Sequence, residues 1–477
     1  MVYLLSQLDD SEDNLAAITL ITTLINSIVC IGASPLLTMS LVAGKELGEL
    51  QEAEGTETEG QLQLRREHVS AIFGNGLIMS AAMTPFMVAG MVFSKALLVN
   101  VFNQNTHVAE ITQSFLRPYS IAIPAMMVRI CADQVMFTFK RTKPAMIIGL
   151  SNFVFSMSLG GVLAFGKLGA PKMGTTGILI GCILDAYLTA GGFALYLAKS
   201  PRLKEFNFFN FCKPWHPYLD QLNNARNLSR SMLISMTSET TMNFMTSGFA
   251  GVIGVQPQAV FSAIMQFSLF SLLLQIAFGQ TAAQELSREI GANRFNNASR
   301  IGKVGIGALL VYIAPVLITL SVYPDILVDM LNQNDNQYFI KTLRYLAPIM
   351  FMGCILDASR FLLLQELRVL GDAQRSSIIS CACIVSGIIT AGVLGLKTEM
   401  GIYGVATGYT ASAGLSSAIL FARWIKRIEP RAIEASKKNP EQFFSVKASC
   451  MRLFRVVRDE TSVVRNSIET KNPLTNS

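Results

Sequence analysis

Long apolar segments, separated by short polar connections, dominate this chain. Eleven of them reach the roughly 20 residues that are needed to cross a hydrocarbon core of about 30 Å. These predicted spans are Leu15–Val42, Val69–Val99, Ile111–Phe139, Pro144–Phe165, Gly174–Ala198, Leu228–Val255, Gln258–Ala282, Ile301–Val322, Tyr338–Leu364, Ser376–Leu396 and Ile402–Ile425. Because a helix satisfies its own backbone hydrogen bonds in lipid, the pattern predicts an all-α polytopic membrane protein.

The two halves of the chain repeat each other. The segment LVAGKELG, which ends at Gly48, matches QELSREIG, which ends at Gly291, and Met173–Gly181 matches Met400–Gly408. Paired halves of this kind are how many transporters build a central cleft with alternating access. We therefore predict two repeated helical bundles. The predicted units are an N-lobe (1–198), a cytoplasmic inter-lobe loop (199–227), a C-lobe (228–426) and a basic cytoplasmic tail (427–477).

The repeat register also indicates what the first half lacks. With Gly48 set against Gly291, Met1 falls opposite Phe244, so the span Leu228–Val255 has almost no counterpart. We expect the first helix of the N-lobe to be missing from the chain as written, either through a late start codon or in a naturally shortened protein.

Composition supports the membrane class. Hydrophobic residues make up 51% of the chain and charged residues 15%, whereas about a quarter of a soluble domain is charged. The net charge of +7 comes from Lys and Arg in short loops and in the tail, which is the positive-inside pattern. This pattern predicts a cytoplasmic C-terminus and gives no indication of nucleic acid binding. His68, His107 and His216 form no metal or nucleophile constellation with the eight cysteines, so we predict no enzyme, no metal site and no cofactor.

Two acids lie inside predicted spans. Glu239 occupies the middle of Leu228–Val255, and Asp357 lies in Tyr338–Leu364. An acid at that depth is costly unless it is protonated, paired or bound to a cation, and switching among those states is what a coupling site does.

The segment that contains Asp357 resembles a known protein family. Asp357 is followed by Leu367-Arg368 and then Asp372, which resembles the multidrug and toxin extrusion (MATE) family, NorM-like members in particular. The resemblance implies twelve helices in two sixes, of which eleven are visible. It also implies a secondary active antiporter in the plasma membrane, expected to be a monomer. Such a protein exports amphipathic, often cationic organic compounds in exchange for Na+ or H+, taken up at the positions of Glu239 and Asp357.

Arg360 departs from that resemblance, because NorM-like proteins usually have an amide side chain at this position. It follows Asp357 by one helical turn and can form an ion pair with it, so Arg360 is predicted to modulate the acid, and a purely structural salt bridge stays open as an alternative. Candidates for the substrate cavity are residues whose flexible or polar side chains suit a cleft, with helix packing as the alternative. They are Met83, Met87, Met232, Met236, Asn243, Gln280 and Gln284.

Two other functions remain open at this point. A flippase for a lipid-linked oligosaccharide would favour several basic residues in the cleft to meet pyrophosphate, and the spans contain few. A membrane scaffold or sensor that no longer transports is compatible with the Arg360 departure and the short N-terminus.

Overall fold

Helices make up nearly all of the computed structural model, which describes residues 12–54, 57–100, 106–169, 171–200, 203–206, 208, 219–330 and 337–438. No strand is assigned within these ranges, which confirms the predicted all-α class. Much of the predicted inter-lobe loop (209–218) and most of the predicted tail (439–477) lie outside the described residues, and the lobe boundaries stay a prediction.

The described residues form fifteen α-helices. In the first half these are α1 Glu12–Ala33, α2 Met39–Ala53, α3 Glu59–Val92, α4 Ser94–Asn100, α5 Thr106–Tyr119, α6 Ile123–Thr138, α7 Thr142–Phe165 and α8 Thr175–Lys199. In the second half they are α9 Leu219–Ile253, α10 Val255–Gly291, α11 Phe295–Val322, α12 Asp325–Met330, α13 Gln337–Val369, α14 Ala373–Leu396 and α15 Ile402–Lys438. Short 3₁₀ turns follow α1, α5, α7 and α8.

The predicted spans correspond to these helices, with three breaks, one of which falls at Phe93 in Val69–Val99, between α3 and α4. Eight helical segments are long and apolar enough to cross a membrane, and a ninth forms if the bent pair Leu24–Ala33 and Leu36–Ala53 is one span. The predicted span Leu15–Val42 is therefore not one straight helix: it bends by 47° at Pro35, which has no backbone N–H to continue the ladder. Ile111–Phe139 likewise contains α5, a 3₁₀ turn and α6. The spans Leu228–Val255 and Gln258–Ala282 lie in α9 and α10, helices of 35 and 37 residues.

Each half has its own apolar interior. One hydrophobic cluster draws its buried members only from residues 21–203, and the largest cluster of the second half draws them from residues 242–409. Large apolar side chains on the outside, such as Phe86 and Leu150, are more than half exposed, as expected for a surface that faces lipid.

The halves meet where α2 crosses α10. A Cβ at Gly48 would collide with the backbone carbonyl of Arg288, and a Cβ at Gly291 would collide with that of Lys45. Because Lys45 and Arg288 hold equivalent places in the repeat, the crossing has pseudo-two-fold symmetry. The Ser287 hydroxyl donates to the carbonyl of Leu41 at 2.6 Å within the same crossing. Only glycine at both positions allows the two backbones to approach so closely.

Ion pairs reinforce this end of the molecule. Lys140 of the first half pairs with Glu285 of α10 at 2.8 Å. Near the start of α3, Arg65 donates from Nε and Nη2, at 2.9 and 2.7 Å, to the carboxylate of Glu57 in the connection from α2. This hydrogen bonding lowers the pKa of Glu57. The end that carries Lys45 and Arg288, predicted to be cytoplasmic, is thus closed in this structure.

Candidate functional site

A cavity of about 70 Å³ lies within the second half, bordered by α9, α10, α13, α14 and α15. That volume holds a few water molecules or a small ion and is far below the 300–1,000 Å³ or so of a drug-sized pocket. Both predicted coupling acids line it. The polar residues on its wall are Glu239, Asn243, Ser268, Gln275, Asp357, Arg360, Tyr409 and Ser412.

Arg360 bridges the two acids. Its Nη2 lies 2.8 Å from Oε1 of Glu239, and its Nε donates to Oδ1 of Asp357 at 2.7 Å. Its remaining nitrogen, Nη1, donates to the Ser380 hydroxyl of α14 at 2.8 Å. The Arg360 side chain is 1% exposed, whereas those of Glu239 and Asp357 are 15% and 20% exposed. The guanidinium is therefore enclosed, and each carboxylate keeps one side toward the cavity.

Local helix geometry and serine contacts produce this arrangement. Asp357 and Arg360 lie one turn apart on α13, so their side chains emerge on the same face. Glu239 reaches them because α9 packs closely on α14: the Ser235 hydroxyl donates to Ser377 at 3.2 Å, and the hydroxyls of Ser231 and Ser377 lie 2.5 Å apart. Small hydroxyl residues let transmembrane helices approach and hydrogen-bond to each other.

The basic residue of the Leu-Arg-x-x-x-Asp turn has a different role from Arg360. Arg368 is 2% exposed and donates to the hydroxyls of Ser231 and Ser235 at 3.0 and 2.6 Å. No carboxylate of the described residues forms a salt bridge with it. Asp372 forms an ion pair with Arg423 of α15, whose Nε and Nη2 both donate to its carboxylate, the latter at 2.9 Å. Through Arg368 and Asp372 the turn thus connects the end of α13 to α9 and to α15.

The predicted substrate-cavity residues are dispersed, and of the seven only Asn243 lines this cavity. Met232 and Met236 are buried with Phe361 in a small apolar cluster. Gln280 and Gln284 are buried on α10, and Gln284 packs against Gly44 at the crossing with α2. In the first half, Met87 is buried against Gly32 of α1, and Met83 is half-buried beside the same core.

Sequence reasoning missed several cavity residues. Ser268 and Gln275 of α10 line the wall, and Gln275 donates to Ser271 at 3.2 Å. Their spacing, together with Ser271, follows a helical stripe of polar residues in an apolar helix, and this signal could have identified them. The described residues contain no group of three or more His, Cys, Asp or Glu side chains that could hold a metal ion. The cavity wall thus offers two carboxylates that share one guanidinium, an arrangement that can bind a proton or a small cation.

Comparisons with known proteins agree with this architecture. The MatE family model matches residues 1–162 and 231–393. The chain is 22% identical over 242 residues to multidrug resistance protein NorM of Vibrio vulnificus, covering 51% of this chain and 52% of that protein. It is 21% identical over 358 residues to NorM of Aliivibrio fischeri, covering 73% and 76%. The matches thus span about half the length of the first of these relatives.

Solved structures show the same fold. An outward-facing multidrug resistance MATE family transporter of the MOP superfamily superimposes with a TM-score of 0.74 at 14% identity, over 90% of both chains. The eukaryotic MATE transporter AtDTX14 gives a TM-score of 0.72 at 14% identity, over 91% of this chain and 93% of that one. Since the family model alone matches well over half of the residues, this chain belongs to the MatE family.

Proposed function

We propose that this protein is a secondary active antiporter that exports amphipathic organic cations in exchange for protons, with Glu239 and Asp357 as the coupling carboxylates. The observation that carries the proposal is the bridge of Arg360 between these two acids on the wall of a cavity sized for water or a small ion. The sequence left Na+ and H+ open, and the position of Arg360 favours H+.

A guanidinium already occupies the place that a coupling cation would take. To bind between Glu239 and Asp357, Na+ would have to displace Arg360, which is 1% exposed and held by a third contact to Ser380. A proton needs no such space, because it adds to a carboxylate oxygen that already faces the cavity. Protonation removes the charge that attracts Arg360 and so weakens one ion pair while the other remains.

That step can be coupled to movement of the two halves. Antiport requires that proton and substrate each bind one conformation better than the other. With α2 and α10 packed at one end, an opening at that end needs separation of the Gly48 and Gly291 contacts. We propose that protonation of Glu239 favours the closed arrangement described here, in which substrate is released, and that an organic cation competes for the carboxylates in the opposite arrangement.

The alternatives gain less support. A flippase that binds pyrophosphate needs basic groups free to meet it, and the one basic residue on the cavity wall is neutralised by two carboxylates. We place the protein in the plasma membrane with its C-terminus in the cytoplasm, and we propose transport rather than catalysis as its activity.

The test is efflux of a fluorescent organic cation, such as ethidium, from cells that express the wild type, Glu239→Gln or the matched control Asp185→Asn. Asp185 is also an acid inside a span, paired with Arg129 in the first half at 3.4 Å. We expect wild-type and Asp185→Asn efflux to stop when a protonophore collapses the proton gradient, and to continue when the Na+ gradient is collapsed. Normal efflux by Glu239→Gln would place the coupling site elsewhere, and absence of efflux by a folded wild type across several dyes would contradict drug export.

A further inference from the structure

A third acid in the second half lies apart from the cavity. Glu366 of α13 is 0% exposed, and neither of its carboxylate oxygens has a hydrogen-bond partner among the described residues. The indole of Trp424 on α15, itself 2% exposed, lies beside the carboxyl group, and its nitrogen approaches Glu366 without reaching hydrogen-bond geometry. Unpartnered polar atoms are rare in protein interiors and call for a specific explanation.

The space around this carboxylate is provided by two glycines of α11. A Cβ at Gly302 would lie 2.8 Å from Oε2 of Glu366 and 2.7 Å from Cζ2 of Trp424. A Cβ at Gly305, one turn later, would lie 3.4 Å from Oε1. Any larger residue at 302 would therefore have to displace the carboxyl group or the indole ring. The site is a pocket that fits an acid side chain, closed by α11 and α15.

No Lys or Arg of the described residues acts as a counter-ion in the pocket. Within the part of the chain that the structure describes, no Lys or Arg nitrogen pairs with Glu366. Charged groups on the surrounding helices include Glu285, Arg288 and Glu289 on α10, Arg300 and Lys303 on α11, Asp357, Arg360 and Arg368 on α13, and Arg423, Lys426 and Arg427 on α15. Several are engaged elsewhere: Arg423 and Arg427 pair with Asp372, Arg360 holds the two cavity acids, and Glu289 accepts from Asn297.

A fully buried, ionised carboxylate without a partner costs several kcal/mol, so the group instead binds a cation or a proton. A metal ion requires several oxygen ligands, and the described residues offer no cluster of acids there. A proton needs no such set of ligands. Its binding is a simple equilibrium in which the carboxylate of Glu366 and H+ combine to a neutral carboxyl group.

We infer that Glu366 is a second proton-binding site, filled while α11 and α15 pack over α13 and emptied to water when they separate. It follows Asp357 by nine residues on the same helix, which places it about 14 Å away, toward the end predicted to face the cytoplasm. Because α13 carries both Asp357 and Glu366, its movement can link release of the proton from Glu366 to the protonation of the cavity acids. Its role in transport rests on the proposed antiport, whereas the protonation itself does not.

Trp424 gives a direct readout. The chain has two tryptophans, Trp215 and Trp424, so Trp215→Phe leaves the indole beside Glu366 as the single fluorophore. In this background we expect the emission of the purified full chain in lipid nanodiscs to change in one step as the pH is varied from about 5 to about 10. Glu366→Gln, which keeps the size and neutrality of the protonated acid, should lose that step. Glu289→Gln, a partly exposed acid on α10, and Glu239→Gln should keep it.

Infrared difference spectroscopy on the same samples provides a second measurement. The carbonyl stretch of a protonated carboxyl group should disappear with the same pH dependence, and Glu366→Gln should lack the band. If Glu366→Gln fails to fold, the wild-type band and Glu366→Met supply the comparison. A fluorescence step that persists without Glu366, or a wild type with neither step nor band, would overturn the inference. Both readouts are independent of transport, so an inactive antiporter with an intact step would refute only the proposed function.

Discussion

Replacing Arg360 by glutamine should allow Na+ to bind in the cavity, from which we propose that Arg360 excludes it in the wild type. Arg360 contributes two ion pairs, at 2.7 and 2.8 Å, and a hydrogen bond to Ser380. Removing one partner of a buried ion pair costs about 3–5 kcal/mol. Since both acids keep contact with the cavity, we expect the lower end of that range, about 3 kcal/mol. Without the guanidinium, Glu239 and Asp357 become two adjacent anions, and Na+ can enter between them.

The assay is thermal unfolding of the purified protein in NaCl and in choline chloride of equal concentration. Na+ at 100 times its dissociation constant restores about 2.7 kcal/mol, nearly all of the loss. We therefore expect Na+ to raise the melting temperature of Arg360→Gln and not that of the wild type. Arg368→Gln is the matched control, because Arg368 is also buried on α13 but bonds to serine hydroxyls and, within the described ranges, to no carboxylate. A wild type stabilised specifically by Na+, or an Arg360→Gln variant indifferent to it, would refute the reasoning.

Three further substitutions test the surrounding structure. Gly291→Val places side-chain atoms against the Lys45 carbonyl, so efflux should fall about tenfold or more. The control Gly149→Val, which has open space around it, should keep its activity. Equal activity of the two variants would contradict the close packing of α2 on α10. Met87→Ala should lower stability by about 2–5 kcal/mol in a melting assay, because Met87 is 4% exposed in the core of the first half. Asn243→Ala, on the cavity wall, should raise the KM for the organic cation with little loss of stability, and the reverse pattern would place Asn243 in packing.

The sequence was sufficient for the parts of the fold that depend on local pattern. Apolar length predicted the spans, and the repeat predicted that Gly48 and Gly291 are equivalent. It did not show that these two glycines lie in one crossing, because contacts between halves depend on how the bundles pack. Pro35 was visible in the sequence, and its effect on the first span could have been predicted from the missing N–H.

The candidate site was predictable on one helix and not between helices. Asp357 and Arg360 lie three residues apart, so their ion pair followed from helix geometry. The pair between Arg360 and Glu239 joins residues 121 positions apart and depends on the rotation of α9 against α13. The sequence did not indicate the burial of Glu366, because an acid just beyond a predicted span resembles an ordinary surface residue. Its burial depends on glycines of another helix.

The central claim, that protons exchange for organic cations at Glu239 and Asp357, is tested most directly in proteoliposomes. The purified protein is reconstituted, a pH gradient or a Na+ gradient is imposed alone, and ethidium uptake is recorded together with the pH of the lumen. We expect the pH gradient alone to drive uptake, with proton movement in the opposite direction, and Glu239→Gln to lose both signals. Uptake driven by the Na+ gradient, or proton-coupled uptake that survives in Glu239→Gln, would contradict the claim.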